Sequence, residues 1–516
     1  MPRATSTPAP STTPARASRP LAVFAVVTVA MSLLSALWAL ATPLAGAPDE
    51  PAHAIQAAAV VRGQVAGAAT IDGSSVQVPQ YVAWMHAQTC YAMNADATAA
   101  CIPPVPGDPS AIVASATTAG LYNPIYYVLV GWPSLIFSDS TGIYAMRIVS
   151  GLVSSVFLGL AAAVIASWRS VRLPVVAGAA AVTPMVLFLG GSVNPNTLEI
   201  TATLAAFVAM LSIVASPDRS LLLQRAIILT VSASIAANVR GLSVLWVAVA
   251  LLVPLVFLRR GQLRELLRSR PIQIAIGVTA LAAAFGAAWV LLTGSLTPQA
   301  IPNPDRPTAP LLGESPLVGF VTMLARGGGN LQEMIGIFGW LDTFAPDEVY
   351  LIWSVLIGSL VAWSFIILRG RALLVVAALA AATVLLPAFV QAAFITSGGW
   401  IWQGRYGLPL LVMLLVGAGF VLSERAERLS ETALRRMLAL VLAAWAVGQT
   451  LAFVGALHRY TVGDSGSWVD VVLAPAWAPP GGALLLTALV AVTATAFAVA
   501  GYWFARGAGS HPALRD

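Results

Sequence analysis

Long uninterrupted apolar runs, separated by short polar breaks that carry arginine, dominate the chain. A helix needs roughly 20 apolar residues to cross about 30 Å of hydrocarbon. Runs of that kind recur at 20–42, 143–167, 174–192, 196–216, 223–239, 241–258, 272–293, 349–368, 372–395, 407–423, 437–457 and 482–505. The pattern predicts an all-α polytopic membrane protein of about 12 transmembrane helices. Continuous runs rather than alternating ones exclude a membrane barrel. The Pro/Ser/Thr/Ala-rich residues 1–19 read as a disordered cytoplasmic tail. The transmembrane domain then covers 20–505 and a second cytoplasmic tail 506–516. Ala45-Gly46-Ala47 resembles a signal-peptide cleavage site, but the apolar run before it exceeds the roughly 7–15 residues of such a peptide.

Two segments stay outside the spans: a large first outer loop at 43–142 and a second at 294–348. Within the first, residues 52–61 suit a short amphipathic helix. Residues 121–137 (LYNPIYYVLVGWPSLIF) suit either a span or a helix lying in the interface, where Tyr and Trp are favoured. Charge separates the two. As a span, 121–137 would put Arg169 and Arg172 outside; as an interfacial helix it leaves them in the cytoplasm, as the positive-inside rule prefers. Both termini are then cytoplasmic. The arginines outside or at outer helix ends are Arg62, Arg147, Arg240, Arg306, Arg326, Arg405 and Arg459, and the rest fall inside.

Composition agrees with the pattern. The 516 residues are 58% hydrophobic and 9% charged, and the basic residues other than histidine are all arginine. The net charge of +6 follows membrane topology and does not indicate nucleic acid. The cysteines, Cys90 and Cys101, lie close together in the first outer loop, where an oxidising face favours a disulfide over a metal site. No Cys/His set has zinc spacing and no glycine-rich loop follows a strand. Gly327-Gly328-Gly329 reads as a flexible entry to the next segment, which argues against an ATP-driven pump.

Four clusters on the outer face carry candidate chemistry. Pro48-Asp49-Glu50-Pro51-Ala52-His53 places two carboxylates and a histidine where the first span ends. A carboxylate there can act as a general base. Asp49 and Glu50 are also the residues that would hold a divalent cation (Mg or Mn), an option that the chemistry does not require. A plainer role for Asp49 is to cap the following helix. Gly190-Gly191-Ser192-Val193-Asn194-Pro195-Asn196 is an outer turn with Glu199 one turn later, for which Arg240 is a candidate partner. Gly336-Ile337-Phe338-Gly339-Trp340-Leu341-Asp342 combines an aromatic belt with an acid. Trp400-Ile401-Trp402-Gln403-Gly404-Arg405-Tyr406-Gly407-Leu408-Pro409 carries an arginine against the positive-inside trend. Its guanidinium suits phosphate, and its tryptophans suit a sugar, an isoprenoid or the interface.

Asp49-Glu50-Pro51-Ala52-His53, Asn194-Pro195-Asn196, Gly339-Trp340-Leu341-Asp342 and Gln403-Gly404-Arg405-Tyr406 resemble, in that order, a bacterial membrane family catalogued as domain of unknown function 2142, over about residues 20–460. That family pattern carries aspartate where Asn196 stands. The family in turn looks like the C-type glycosyltransferases, which use sugars on polyprenyl phosphate and carry an acidic residue early in a first outer loop with interfacial helices. The resemblance implies a bacterial plasma-membrane enzyme that moves a sugar from a polyprenyl-phosphate donor to a cell-envelope glycan. Asp49, Glu50 and His53 would be catalytic. Arg405, Tyr406, Trp402, Gln403, Arg240, Asp342, Arg147 and Asn194 would bind substrate. The alternative is a transporter or flippase of a lipid-linked glycan, which should place charge near the bilayer midplane on broken helices. The ionisable groups gather instead at the outer helix ends.

Overall fold

Helices run back and forth between an end that carries short turns and an end that carries the long loops. The computed structural model describes residues 15–296, 309–425 and 430–507. Residues 1–14 of the expected tail, Asp305, Arg306, Arg428 and 508–516 lie outside the described residues.

Helix α1 (Ala15–Ala41) rises to the long-loop end, where the chain builds a small cap. The cap contains α2 (Glu50–Val60), strands β1 (Ala68–Thr70) and β2 (Gly73–Pro79), α3 (Gln80–Ala83), β3 (Ile112–Thr117) and α4 (Ile125–Gly131). The strands form an antiparallel sheet in the order β1-β2-β3, with Ser74 opposite Thr117. Helix α5 (Thr141–Ala166) then descends. Helices α6 (Arg172–Ala181) and α7 (Pro184–Gly190) make one return bent by 63°. The bend lies at Pro184, which lacks an amide hydrogen. The Ala180 carbonyl, which the proline leaves without its helical partner, accepts from Trp353 Nε1 at 3.1 Å, and the Val182 carbonyl at the break accepts from Trp445 Nε1 and Gln449 Nε2. Helix α8 (Pro195–Ala215) descends again, and α9 (Leu222–Ala236) and α10 (Ser243–Leu252) follow it as a hairpin.

Helix α11 (Gln262–Arg268) lies in a short-end turn before α12 (Arg270–Thr293). The second long loop holds α13 (Pro316–Ala325), α14 (Gly327–Gly336) and the paired strands β4 (Ile337–Phe338) and β5 (Thr343–Phe344). Helices α15 (Asp347–Ile367), α16 (Gly370–Gly398), α17 (Leu408–Ser423) and α18 (Glu431–Val462) complete the bundle, with α19 (Asp470–Leu473) and α20 (Ala483–Gly507) at the end.

Among the described residues, nine helices are long and apolar enough to cross a membrane, or ten if the bent pair counts as one span. This corrects the expected number of about 12. The runs at 223–239 and 241–258 are the two that fall short. Helix α9 has 15 residues, about 22 Å, and α10 gives way at Pro254 to a 3-10 turn. Their apolar character is real; the polar turn at Asn238-Val239-Arg240-Gly241 cuts both below span length. Losing two neighbouring spans leaves the direction of every later helix unchanged. The start of α1 and the end of α20 therefore meet at one end, where Arg19 Nη2 donates to the Phe504 carbonyl at 3.4 Å.

The chain is mostly helical rather than all-α, because the two small sheets were not expected. Residues 121–137 form only the seven-residue α4 and a 3-10 turn, too short to cross, with Trp132, Leu135, Ile136 and Phe137 exposed. Helix α2, expected to be amphipathic, is buried along its whole length. The sheet and α4 fold over it, and Thr117 Oγ1 donates to the Ala52 carbonyl at 2.7 Å. Beneath the cap Trp38 packs against Phe188, Phe338 and Phe453, joining α1, α7, β4 and α18.

Candidate functional site

The two adjacent carboxylates at the top of α1 part company. Glu50 turns inward to a bidentate pair with Arg147, Oε1 to Nε at 2.7 Å and Oε2 to Nη2 at 2.6 Å, with neither side chain exposed at all. Arg147 spends its remaining donors on the carbonyls of Ala39, Thr42 and Pro43, and the Val193 amide donates to Glu50. Every polar atom of this pair is satisfied, so it clamps the top of α1 to α5 and to the turn before α8. Asn194 extends the clamp: Nδ2 donates to the Pro48 carbonyl and Oδ1 caps α8.

Asp49 faces the other way. It occupies the cap position of α2 in a left-handed conformation (φ 63°) and makes no side-chain capping bond. Such a backbone is costly for a residue with a Cβ, and it persists where the surroundings over-determine it. Here the buried clamp at the neighbouring Glu50 does so, while the Asp49 carboxylate pairs with Arg405, Oδ2 2.5 Å from Nη2. His53 stands one turn along the same helix face. Its Nδ1 shares a hydrogen bond with the Tyr127 hydroxyl at 2.9 Å. Burial, together with Arg240 and Arg405, pushes its pKa down to about 3 against the opposing pull of Asp49, so the imidazole is neutral at physiological pH.

Arg405 is delivered by a strap between α16 and α17. Gln391, buried in α16, accepts from the amides of Ile401 and Trp402 and donates to the Gly399 carbonyl. The Gly404 amide donates to Glu333 of α14. A Cβ at Gly404 would lie 2.4 Å from the Asn330 carbonyl oxygen, so only glycine lets the strap lie this close to α14. Burial raises the Glu333 pKa, partly offset by the Gly404 amide, Arg326 and Arg405.

Tyr406 is the hub. Its ring lies 4.4 Å from the Arg240 guanidinium and 5.2 Å from that of Arg405, and Trp402 packs on it edge-on. Arg240 arrives from the α9–α10 turn, bonded to the Asn196 side chain and 3.9 Å from Glu199. Buried donors are left over around this hub: Arg405 Nε and Nη1, Asn196 Nδ2 and Trp402 Nε1 have no partner, and neither has the acceptor Gln403 Oε1. Buried polar atoms are rarely left unpaired, and the surplus here is of donors. The arrangement suits an anion with several oxygens.

A divalent ion shared by Asp49 and Glu50 does not fit, since Glu50 has both oxygens committed to Arg147. Among the described residues no three His, Cys, Asp or Glu side chains gather as a metal site.

The family model described as a predicted membrane protein (DUF2142) matches residues 32–414. The chain belongs to that family. No curated protein matches the sequence. ArnT from Cupriavidus metallidurans bound to undecaprenyl phosphate aligns at 15% identity and a TM-score of 0.44, over 94% of this chain and 76% of that one. The apo form of the same protein aligns at 14% identity and 0.40, over 95% and 76%. Likeness at that level assigns no activity.

Within this DUF2142 chain the sequence candidates divide into two groups. Asp49, His53, Arg240, Trp402, Arg405 and Tyr406 meet around one hub, and Gln403 lies beside it in the strap with its Oε1 unpartnered. Glu50, Arg147 and Asn194 form the buried clamp and are closed to a substrate. Asp342 lies apart from both. It accepts from the amides of Met93 and Trp340 and pairs with Arg459 at 3.3 Å. Arg459 also donates to the carbonyls of Tyr91, Asn94 and Ala97, so Asp342 and Arg459 grip the segment that the Cys90–Cys101 disulfide closes. Sequence reasoning missed Glu333, which no motif flags, and Tyr127, although the stretch containing it stood out for its aromatics.

Proposed function

We propose that this membrane protein is a glycosyltransferase that moves a sugar from a polyprenyl-phosphate donor to a cell-envelope glycan at its long-loop face. The observation that carries the reading is Arg405: its side chain is 3% exposed, two of its nitrogens lack partners, and a second arginine shares its tyrosine. A buried guanidinium short of acceptors is costly. A phosphate supplies several charged oxygens at once.

In this reading Asp49 takes the proton of an acceptor hydroxyl, and the hydroxyl oxygen attacks the anomeric carbon. The bond from that carbon to the phosphate oxygen breaks, and polyprenyl phosphate leaves. Arg405 and Arg240 meet the charge that grows on the departing phosphate. His53, neutral and fixed by Tyr127, orients hydroxyl groups rather than carrying charge. Trp402 and Tyr406 offer aromatic faces to sugar or lipid.

The test is binding of a polyprenyl-phosphate sugar to the purified protein. Arg405→Ala should weaken it roughly 10- to 100-fold, the worth of a charge-assisted contact. Binding that is absent in the wild type, or unchanged in the variant, would remove the reading. A flippase needs the same anion seat but leaves the glycosyl bond intact. Release of free polyprenyl phosphate on adding envelope glycan separates the two.

A further inference from the structure

The Asp49–Arg405 contact sets two roles against each other. The arginine suited to a phosphate already holds a carboxylate, and the carboxylate suited to a base already faces a cation. The contact is slight beside its neighbour. Glu50 and Arg147 share two bonds out of reach of solvent, whereas Asp49 and Arg405 share one, with the Asp49 side chain 46% exposed. Arg405 keeps Nε and Nη1 without partners although Asp49 is beside it. Asp49 sits at φ 63° and does not cap α2, so helix geometry does not hold its carboxylate in place.

We propose that Asp49 is a displaceable occupant of the phosphate seat and thereby a specificity-determining residue. A phosphate entering beside Tyr406 takes Nη2 together with one of the orphaned nitrogens, and the exchange frees the carboxylate for the acceptor. This inference rests on the phosphate-donor reading above. One anion replaces another on the same guanidinium and no covalent bond changes. The exchange is favoured because a phosphate brings more oxygens than the single one Asp49 contributes, and Arg405 and Asn196 have donors waiting. A neutral glycan brings only uncharged hydroxyl acceptors, which are too weak to displace a carboxylate from the arginine. The base therefore becomes available only after a charged donor is seated, which orders the two substrates.

The experiment measures binding of a polyprenyl phosphate in detergent to the full-length protein, with the matching uncharged polyprenol as control. Wild type is compared with Asp49→Asn and with Asp49→Gly, which also suits the left-handed backbone. Each variant is first shown to be folded by thermal melting. Removing the competitor should tighten polyprenyl-phosphate binding roughly 5-fold or more in both variants, with no change for the polyprenol. Equal or weaker binding in both, with wild-type binding intact, overturns the displacement and leaves the phosphate seat standing. An equal tightening toward the polyprenol also overturns it, by assigning the effect to the lipid chain. If wild type binds no polyprenyl phosphate, the donor reading fails together with this one.

Discussion

Asp49 and Glu50 are neighbours of the same chemistry, and their surroundings give them opposite work. Glu50 and Arg147 are fully enclosed, so removing one leaves the other charged, buried and alone. Arg147→Ala should cost about 3–5 kcal/mol. Adding Glu50→Gln should recover part of that loss, because the stranded carboxylate is gone. Thermal melts of the two variants in detergent check this, and a double variant no more stable than Arg147→Ala would show that the pair is not what holds the cap. This division was beyond reach from sequence. Asp-Glu reads as one acidic spot, and only the direction of each side chain from the helix start separates a strut from a candidate base. The motif containing Arg405 was legible, because a short outer turn packed with aromatics and carrying an arginine runs against the charge trend that most arginines of the chain follow. Glu333 was not, since one acid on a polar helix breaks no rule.

At the scale of elements, the site depends on short pieces, each below the length of a regular membrane-spanning helix. Each arm of the α9–α10 hairpin is a helix shorter than a regular span, and the turn between them presents Arg240 to Asn196 and Tyr406 at the long-loop end. Hydropathy finds both arms and overstates the length of their helices, because apolar flanks blur the ends. The sheet of the cap was lost for a related reason. Val76 and Val78 alternate with polar residues over too few positions to stand out in a loop. The strap before α17 is the most exacting of these pieces. Gly404→Ala would drive a methyl group into the Asn330 carbonyl and the Glu333 Cβ. The strap would lift from α14 and carry Arg405 away from Asp49. We expect Gly404→Ala to lose binding of polyprenyl-phosphate sugar about as fully as Arg405→Ala while the protein still inserts and purifies. Binding equal to wild type would mean that the strap is not what positions the arginine.

For the whole molecule, the direction of every long helix follows from the apolar runs and the arginines, even with the number of spans overstated. The two runs that failed were adjacent, and a paired error leaves the alternation of ends intact. Which end faces the cytoplasm is argued from charge. The short-loop end carries Arg169, Arg172, Arg219, Arg259, Arg260, Arg369 and Arg371, so it should be cytoplasmic. Reporter fusions at the N- and C-termini should both be active in the cytoplasm, and one in the loop that holds the Cys90–Cys101 disulfide should be active only outside. A terminal reporter active outside would invert the molecule and move the site to the wrong face for envelope glycan.

The Asp49–Arg405 pair joins residues 356 positions apart, and Arg459 reaches the cap across a similar distance. A ribosome making this chain releases Asp49 into the membrane early and Arg405 near the end, so for most of synthesis the cap waits without the strap and grip that complete it. Chains truncated before Arg405 would carry only some of the residues that meet at the hub. A cell making this chain completes the arginine hub only late in translation, and partly made copies lack it.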